Sequence, residues 1–136
     1  MTTKETLEVS FPGGKRVDTQ VGDFTIRTDQ ALKAGGEASA PEPFALFLAS
    51  IATCAGVFAL GFCQSRDIDS QGLALRMECD YDEAKKLFTH FRFHLALPTG
   101  FPDRYRGAIE KAIGRCAVKR HIDDSQWPVF DVVFEN

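Results

Sequence analysis

Polar and apolar residues alternate from Glu5 to Phe11 (Glu-Thr-Leu-Glu-Val-Ser-Phe), the period-two signature of a strand with one covered face. Pro12-Gly13-Gly14 reads as a turn, Lys15 to Val21 as a second strand, and Gly22-Asp23 as a tight link to a third, Phe24 to Thr28. Short strands joined by Gly-containing turns predict an antiparallel meander. From Asp29 to Pro43 the periodicity fades into Gly, Ala and Pro, which predicts a long loop. Loops of that length in small domains often carry function.

Pro41-Glu42-Pro43 then opens the longest apolar stretch, predicting a helix from Pro43 to Arg66. Proline suits a first helical turn, and Glu42 puts negative charge where the helix dipole favours it. Ala, Ser, Gly and Thr recur along this helix on every side, and a helix apolar all round is expected to be buried all round. Two strands follow, Gly72 to Asp82 and Leu87 to Leu97, linked by the polar Asp82-Glu83-Ala84-Lys85-Lys86. In the second, Phe91, Phe93, Leu95 and Leu97 share one face and Arg92 and His94 the other. A helix from Asp103 to Arg115, a short helix from Ala117 to Ile122 and a last strand, Val129 to Phe134, complete the pattern. The order β-β-β-α-β-β-α-(α)-β predicts an α+β fold with antiparallel sheet against a buried helix, in one domain spanning residues 1–136.

Composition narrows the function. Sixteen Lys and Arg against nineteen Asp and Glu leave a net charge of −3, which argues against a protein held to nucleic acid or anionic lipid by bulk charge. The stretch from Phe44 to Cys63 has the length of a membrane span, but small and weakly polar residues fill about half of it, the character of a packed core helix. No signal peptide is readable at the N-terminus, so the cytoplasm is the expected location. His90, His94 and His121 have no metal-ligand spacing among themselves or with the cysteines, so neither a metal nor another bound cofactor is expected.

Four cysteines remain: Cys54, Cys63, Cys79 and Cys116. None forms a CxxC pair, and in a reducing compartment each is by default a small buried hydrophobe. Cys54 and Cys63 are nine residues apart on one helix and so point to opposite sides. Judged by neighbours in sequence, Cys116 has the more favourable electrostatic setting, since Arg115, Lys119, Arg120 and His121 could all lower a thiol pKa.

The segment from Ala40 to Cys54 (Ala-Pro-Glu-Pro-Phe-Ala-Leu-Phe-Leu-Ala-Ser-Ile-Ala-Thr-Cys) resembles the central-helix signature of the OsmC/Ohr family, the osmotically inducible and organic hydroperoxide resistance proteins. A second cysteine after the next helix, in Ile113-Gly-Arg-Cys116-Ala-Val, matches the family's other hallmark. The resemblance implies an intertwined homodimer whose sheets wrap a long buried central helix, and a thiol peroxidase acting in oxidative-stress defence. It gives Cys54 the peroxidatic role and Cys116 the resolving role, with an external dithiol as reductant and an organic or hydrogen peroxide as substrate. It also implies an Arg from the early strands, for which Arg16 is the candidate and Arg27 the weaker one. The family places a Glu ten residues before its first cysteine; here that position is Phe44, and the nearest acid is Glu42. Two other readings stand beside this one: a binding module for an apolar small molecule at the dimer interface, and another cysteine chemistry such as acyl transfer.

Overall fold

The computed structural model describes residues 2–123, 131 and 133–135. The chain divides into two compact units, Met1–Ala49 and Ser50–Asn136.

The first unit is the expected meander: β1 (Glu8–Gly13), β2 (Arg16–Val21) and β3 (Phe24–Thr28), antiparallel in the order β1-β2-β3. Strand β1 runs on through Pro12, which the sequence pattern assigns to a turn. Pro12 is tolerated because β1 is an edge strand, and the register is irregular between Ser10 and Gly13. Cross-strand pairing puts Val9, Thr19 and Ile26 on one face, with Val21 opposite Phe24. Asp18 and Arg27 pair on the other face. The apolar face is open within the chain, Phe24 being 74% exposed and Val9 54%.

The loop that follows is built around Asp29, which is 1% exposed. Its carboxylate accepts hydrogen bonds from the backbone N–H of Gln30 (2.7 Å), Glu37 (3.3 Å) and Ser39 (3.1 Å) and from the Ser39 hydroxyl (2.6 Å). Those donors stabilise the ionised form and hold the carboxyl at about 2, against an ordinary 3.8. Gly36 is required here by space: a Cβ would lie 2.1 Å from the Gln30 carbonyl oxygen.

Helix α1 (Pro43–Gln64) begins in the first unit and continues through the second. In the second unit it is followed by the antiparallel pair β4 (Ala74–Asp82) and β5 (Leu87–Ala96), then α2 (Arg106–Ile113) and α3 (Ala117–Asp123). Ala55, Ala59, Phe62 and Cys63 of α1 form one core with Ile109 and Ile113 of α2 and with Phe101. Leu75, Phe93 and Leu95 from the hairpin pack against that core. The hairpin's other face carries Arg76 opposite His94 and Glu78 opposite Arg92, joined in ion pairs with Asp80. The alternation read from the sequence therefore separates core from solvent as expected.

Two expectations need correction. Helix α1 is not buried all round within this chain. Only the side bearing Ile51, Ala55, Ala59, Phe62 and Cys63 is covered, and Val57 is 65% exposed. The small residues permit close approach on several sides, but within the second unit α2 and the hairpin core account for only one. The helix expected from Asp103 begins as a single 3-10 turn, Asp103–Tyr105, and becomes α-helical only from Arg106 to Ile113. Half of the last strand, expected from Val129 to Phe134, falls outside the described residues; Asp131, Val133 and Phe134, which are described, are in no strand.

Candidate functional site

Helix α3 starts where α2 has ended and Cys116 takes up the capping position. The Cys116 carbonyl accepts the Arg120 N–H at 3.0 Å, and its sulfur accepts the Lys119 N–H at 3.3 Å. A sulfur thus does the work usually given to a Ser, Thr or Asp side chain at a helix start. Cys116 is 1% exposed.

Cys54, midway along α1 and half-buried, meets this same start of α3. Its pKa is drawn below the ordinary thiol value, first by hydrogen bonding from the Val118 N–H. The Cys116 thiol, the Ala117 N–H and the charge of Arg120 act in the same direction, and partial burial opposes them. Burial is the main cause that pushes the Cys116 thiol up, and donating to Cys54 adds to it. The pair is therefore asymmetric: the Cys54 thiol ionises more readily than the Cys116 thiol.

The other two cysteines differ. Burial raises the Cys63 thiol, which lies fully inside the core, and burial with the neighbouring Asp80 raises that of Cys79. Of the four, only Cys54 is shifted toward the nucleophilic form. Sequence neighbours suggest the reverse for the pair, because Cys116 is flanked by four basic residues. In space, burial governs Cys116, and the Arg120 charge acts on Cys54.

Arg16 and Glu42, the other candidates, lie in the first unit. The Arg16 Nε donates to the Gly13 carbonyl at 3.2 Å, and Arg16, Asp18 and Arg27 line a cavity of about 360 Å³ on the sheet's polar side. The Glu42 carboxylate accepts the Ala31 N–H at 3.1 Å, and its carbonyl accepts the first helical N–H of α1, from Ala45, at 3.0 Å. Glu42 thus ties the loop to the helix start. The structure brings Cys54 and Cys116 together, and it adds Val118, Ala117 and Arg120, which the sequence reading did not connect with Cys54. The available signal was a cysteine standing just before a short helix.

A groove of about 520 Å³ runs between α1 and α2, with Val57, Phe58 and Phe62 in its wall and Arg66, Lys111 and Arg115 supplying charge. Phe58 and Gly61 follow Cys54 by four and seven residues, so the groove lies along the same stripe of the helix. Among the described residues no group of three or more His, Cys, Asp or Glu is placed to hold a metal ion.

Residues 36–129 match the family described as OsmC-like protein. No curated protein matches the sequence. Solved structures share the fold at low identity. One, from Psychrobacter arcticus 273-4 and named for an osmotic stress induced and detoxification response, has a TM-score of 0.73 at 16% identity, covering 88% of this chain and 89% of its own. An OsmC-like protein from Mycoplasma pneumoniae gives 0.71 at 14%, covering 92% and 91%. An organic hydroperoxide resistance protein OsmC from Legionella pneumophila gives 0.53 at 21%, covering 90% and 92%.

Proposed function

The chain belongs to the OsmC-like protein family, and from that premise we propose that it is a thiol peroxidase with Cys54 as peroxidatic and Cys116 as resolving cysteine. The observation that carries this reading is the asymmetric pair itself: one thiol shifted toward thiolate, beside a buried thiol that hydrogen-bonds to it. The Cys54 thiolate attacks the terminal oxygen of R–O–O–H. The O–O bond breaks, RO⁻ leaves and takes up a proton as ROH, and Cys54 becomes a sulfenic acid. The Cys116 thiol then displaces the sulfenic oxygen as water and closes a disulfide. An external dithiol reduces that disulfide by exchange and leaves as its own disulfide.

The groove along the Cys54 stripe has an apolar wall suited to the R group of an organic hydroperoxide. The open apolar faces, Val9 and Phe24 on the sheet and Val57 on α1, support a homodimer in which a second copy covers them. Both units serve as one domain, in keeping with structural likeness extending over 88% of the chain. The cytoplasm, a reducing compartment, is the setting in which an external dithiol would recycle such a pair. Acyl transfer is less well supported, because the groups acting on Cys54 are amides, a thiol and a guanidinium, and none is a base.

The test is stopped-flow consumption of cumene hydroperoxide by the reduced protein, followed by intact-mass measurement. The expected result is rapid consumption with loss of about 2 Da as two thiols become a disulfide. Cys54→Ser is expected to lose the fast reaction, and Cys116→Ser to keep one oxidation and gain an oxygen. If both thiols stay free in excess peroxide, the peroxidase reading fails and the groove is better read as a binding site for an apolar small molecule.

A further inference from the structure

We propose that the groove between α1 and α2 is a docking site for an acidic amphipathic helix of a partner protein. The inference does not depend on the peroxidase reading.

The groove encloses about 520 Å³, with Val57, Phe58 and Phe62 of α1 as its apolar wall. Three cations line it, and no Asp or Glu does. Arg66 is held at one end. Its guanidinium carbon lies 3.6 Å from the centre of the Phe62 ring and 5.5 Å from that of Tyr105. Its Nη1 donates to the Ser65 hydroxyl at 3.0 Å and to the Phe62 carbonyl at 3.4 Å. Tyr105 comes just before α2 and Arg115 shortly after it, so Arg66 and Arg115 stand at opposite ends of a helix about 12 Å long. Lys111 lies between them, one turn before Arg115. Among the described residues none of the three is in an ion pair.

Unmatched positive charges beside an apolar wall select a partner that is apolar on one side and negative on its flanks. Their spread along the groove selects its form. A small anion has one head and meets one cation. A helix laid along the groove repeats its side chains every turn, about 5.4 Å. It can set acids opposite Lys111 and Arg115 in step, while apolar residues at neighbouring turns fill the wall. A second copy of this chain does not offer that pattern. Its α1 carries no Asp or Glu from Pro43 to Gln64. Glu78 and Asp80, on the outer face of its hairpin, are already in ion pairs with Arg76 and Arg92. A docked helix and the R group of a hydroperoxide need the same wall, so they occupy it in turn.

The experiment measures binding of labelled synthetic peptides to the full reduced chain by fluorescence anisotropy. One peptide is an amphipathic helix with Leu along one side and Glu on its flanks. The second has Lys in place of Glu, and the third has the composition of the first in an order that destroys the apolar side. The Glu peptide is expected to bind saturably, and the other two at least about tenfold more weakly. Lys111→Glu and Arg115→Glu are each expected to weaken the Glu peptide about tenfold, and Lys111→Met by less. Lys85→Glu, the same charge change on the hairpin tip, is expected to leave it unchanged, and circular dichroism checks that every variant stays folded. The proposal is overturned if the Glu peptide does not bind, if either control peptide binds as well, or if Lys85→Glu weakens binding equally. Two further outcomes also overturn it by naming another occupant. A wild-type dimer that Arg115→Glu converts to monomer in sedimentation equilibrium assigns the groove to a second copy. Binding of decanoate without binding of the Glu peptide assigns it to a small organic anion.

Discussion

In the second unit Ala59, Cys63 and Ile109 are sealed from water by one another and by the hairpin, while in the first unit the described buried residues are Thr28 and Asp29, both polar. The second unit is organised by apolar contact and the first by hydrogen bonds: a three-stranded ladder, and a loop drawn around one carboxylate. A three-stranded sheet with a bare apolar face is marginal alone, because stability requires that face to be covered. The contrast assigns different tasks. A packed core can hold two sulfurs in register, and both candidate cysteines lie in the unit that has one. The unit without an apolar core carries, in Val9 and Phe24, the sheet part of the surface that the proposed second copy would cover.

The comparison breaks most readily at Ile109. It is 1% exposed and central to the second unit's core. Ile109→Ala is expected to cost about 2–5 kcal/mol by lost burial and a residual cavity, read as a fall in the denaturation midpoint with unchanged slope. A cost below about 1 kcal/mol would mean that the core is not what holds this unit together. The same large-to-small change at Phe24, 74% exposed, is expected to leave the folded chain almost untouched.

What Phe24 should affect is association. Covering a phenylalanine contributes about 1.5–3 kcal/mol, so Phe24→Ser is expected to weaken the proposed homodimer by about tenfold to a hundredfold. Sedimentation equilibrium over a range of concentrations measures this. A wild-type chain that stays monomeric throughout removes the dimer, and the open face then needs another explanation.

The same contrast sets what could be read from the sequence. Apolar periodicity is the sequence's image of a core, so the two strands of the hairpin, the two sides of β5 and the span of α1 were legible. The opposed directions of Cys54 and Cys63 followed from helical geometry alone, and Cys63 is the one inside the core. Polar organisation leaves no such periodic trace. The Asp29 hub joins residues eight and ten positions apart through a loop whose path depends on Gly35 and Gly36. It could not be seen in a stretch read simply as Gly- and Pro-rich. The electrostatics of Cys116 were misjudged for a related reason: flanking basic residues are neighbours in sequence, whereas burial and backbone donors decide a thiol's state. The groups that draw the Cys54 thiol down, the Val118 N–H first among them, come from more than 60 positions later in the chain, beyond the reach of a reading by sequence neighbours.

The smallest expected effect concerns Asp29, and it tests the claim that polar contacts order the first unit. Its carboxyl is held at about 2 in the fold, below the ordinary 3.8 that the unfolded chain would show. A depressed pKa means that the ionised form is favoured by folding. The contribution is therefore complete above about pH 4 and is lost as pH falls toward about 2. Asp29→Asn keeps the shape but removes the charge, and it replaces one acceptor oxygen with a donor facing the N–H groups of Glu37 and Ser39. The variant is expected to melt a few degrees below wild type at neutral pH, with the gap narrowing steadily between pH 4 and 2 in thermal scans. A gap that stays constant with pH would show that the carboxylate's charge contributes nothing, and the loop would then owe its order to backbone geometry at the glycines. A narrowing gap, with the core variant Ile109→Ala showing no matching pH dependence, would establish that the two units are held by separate forces.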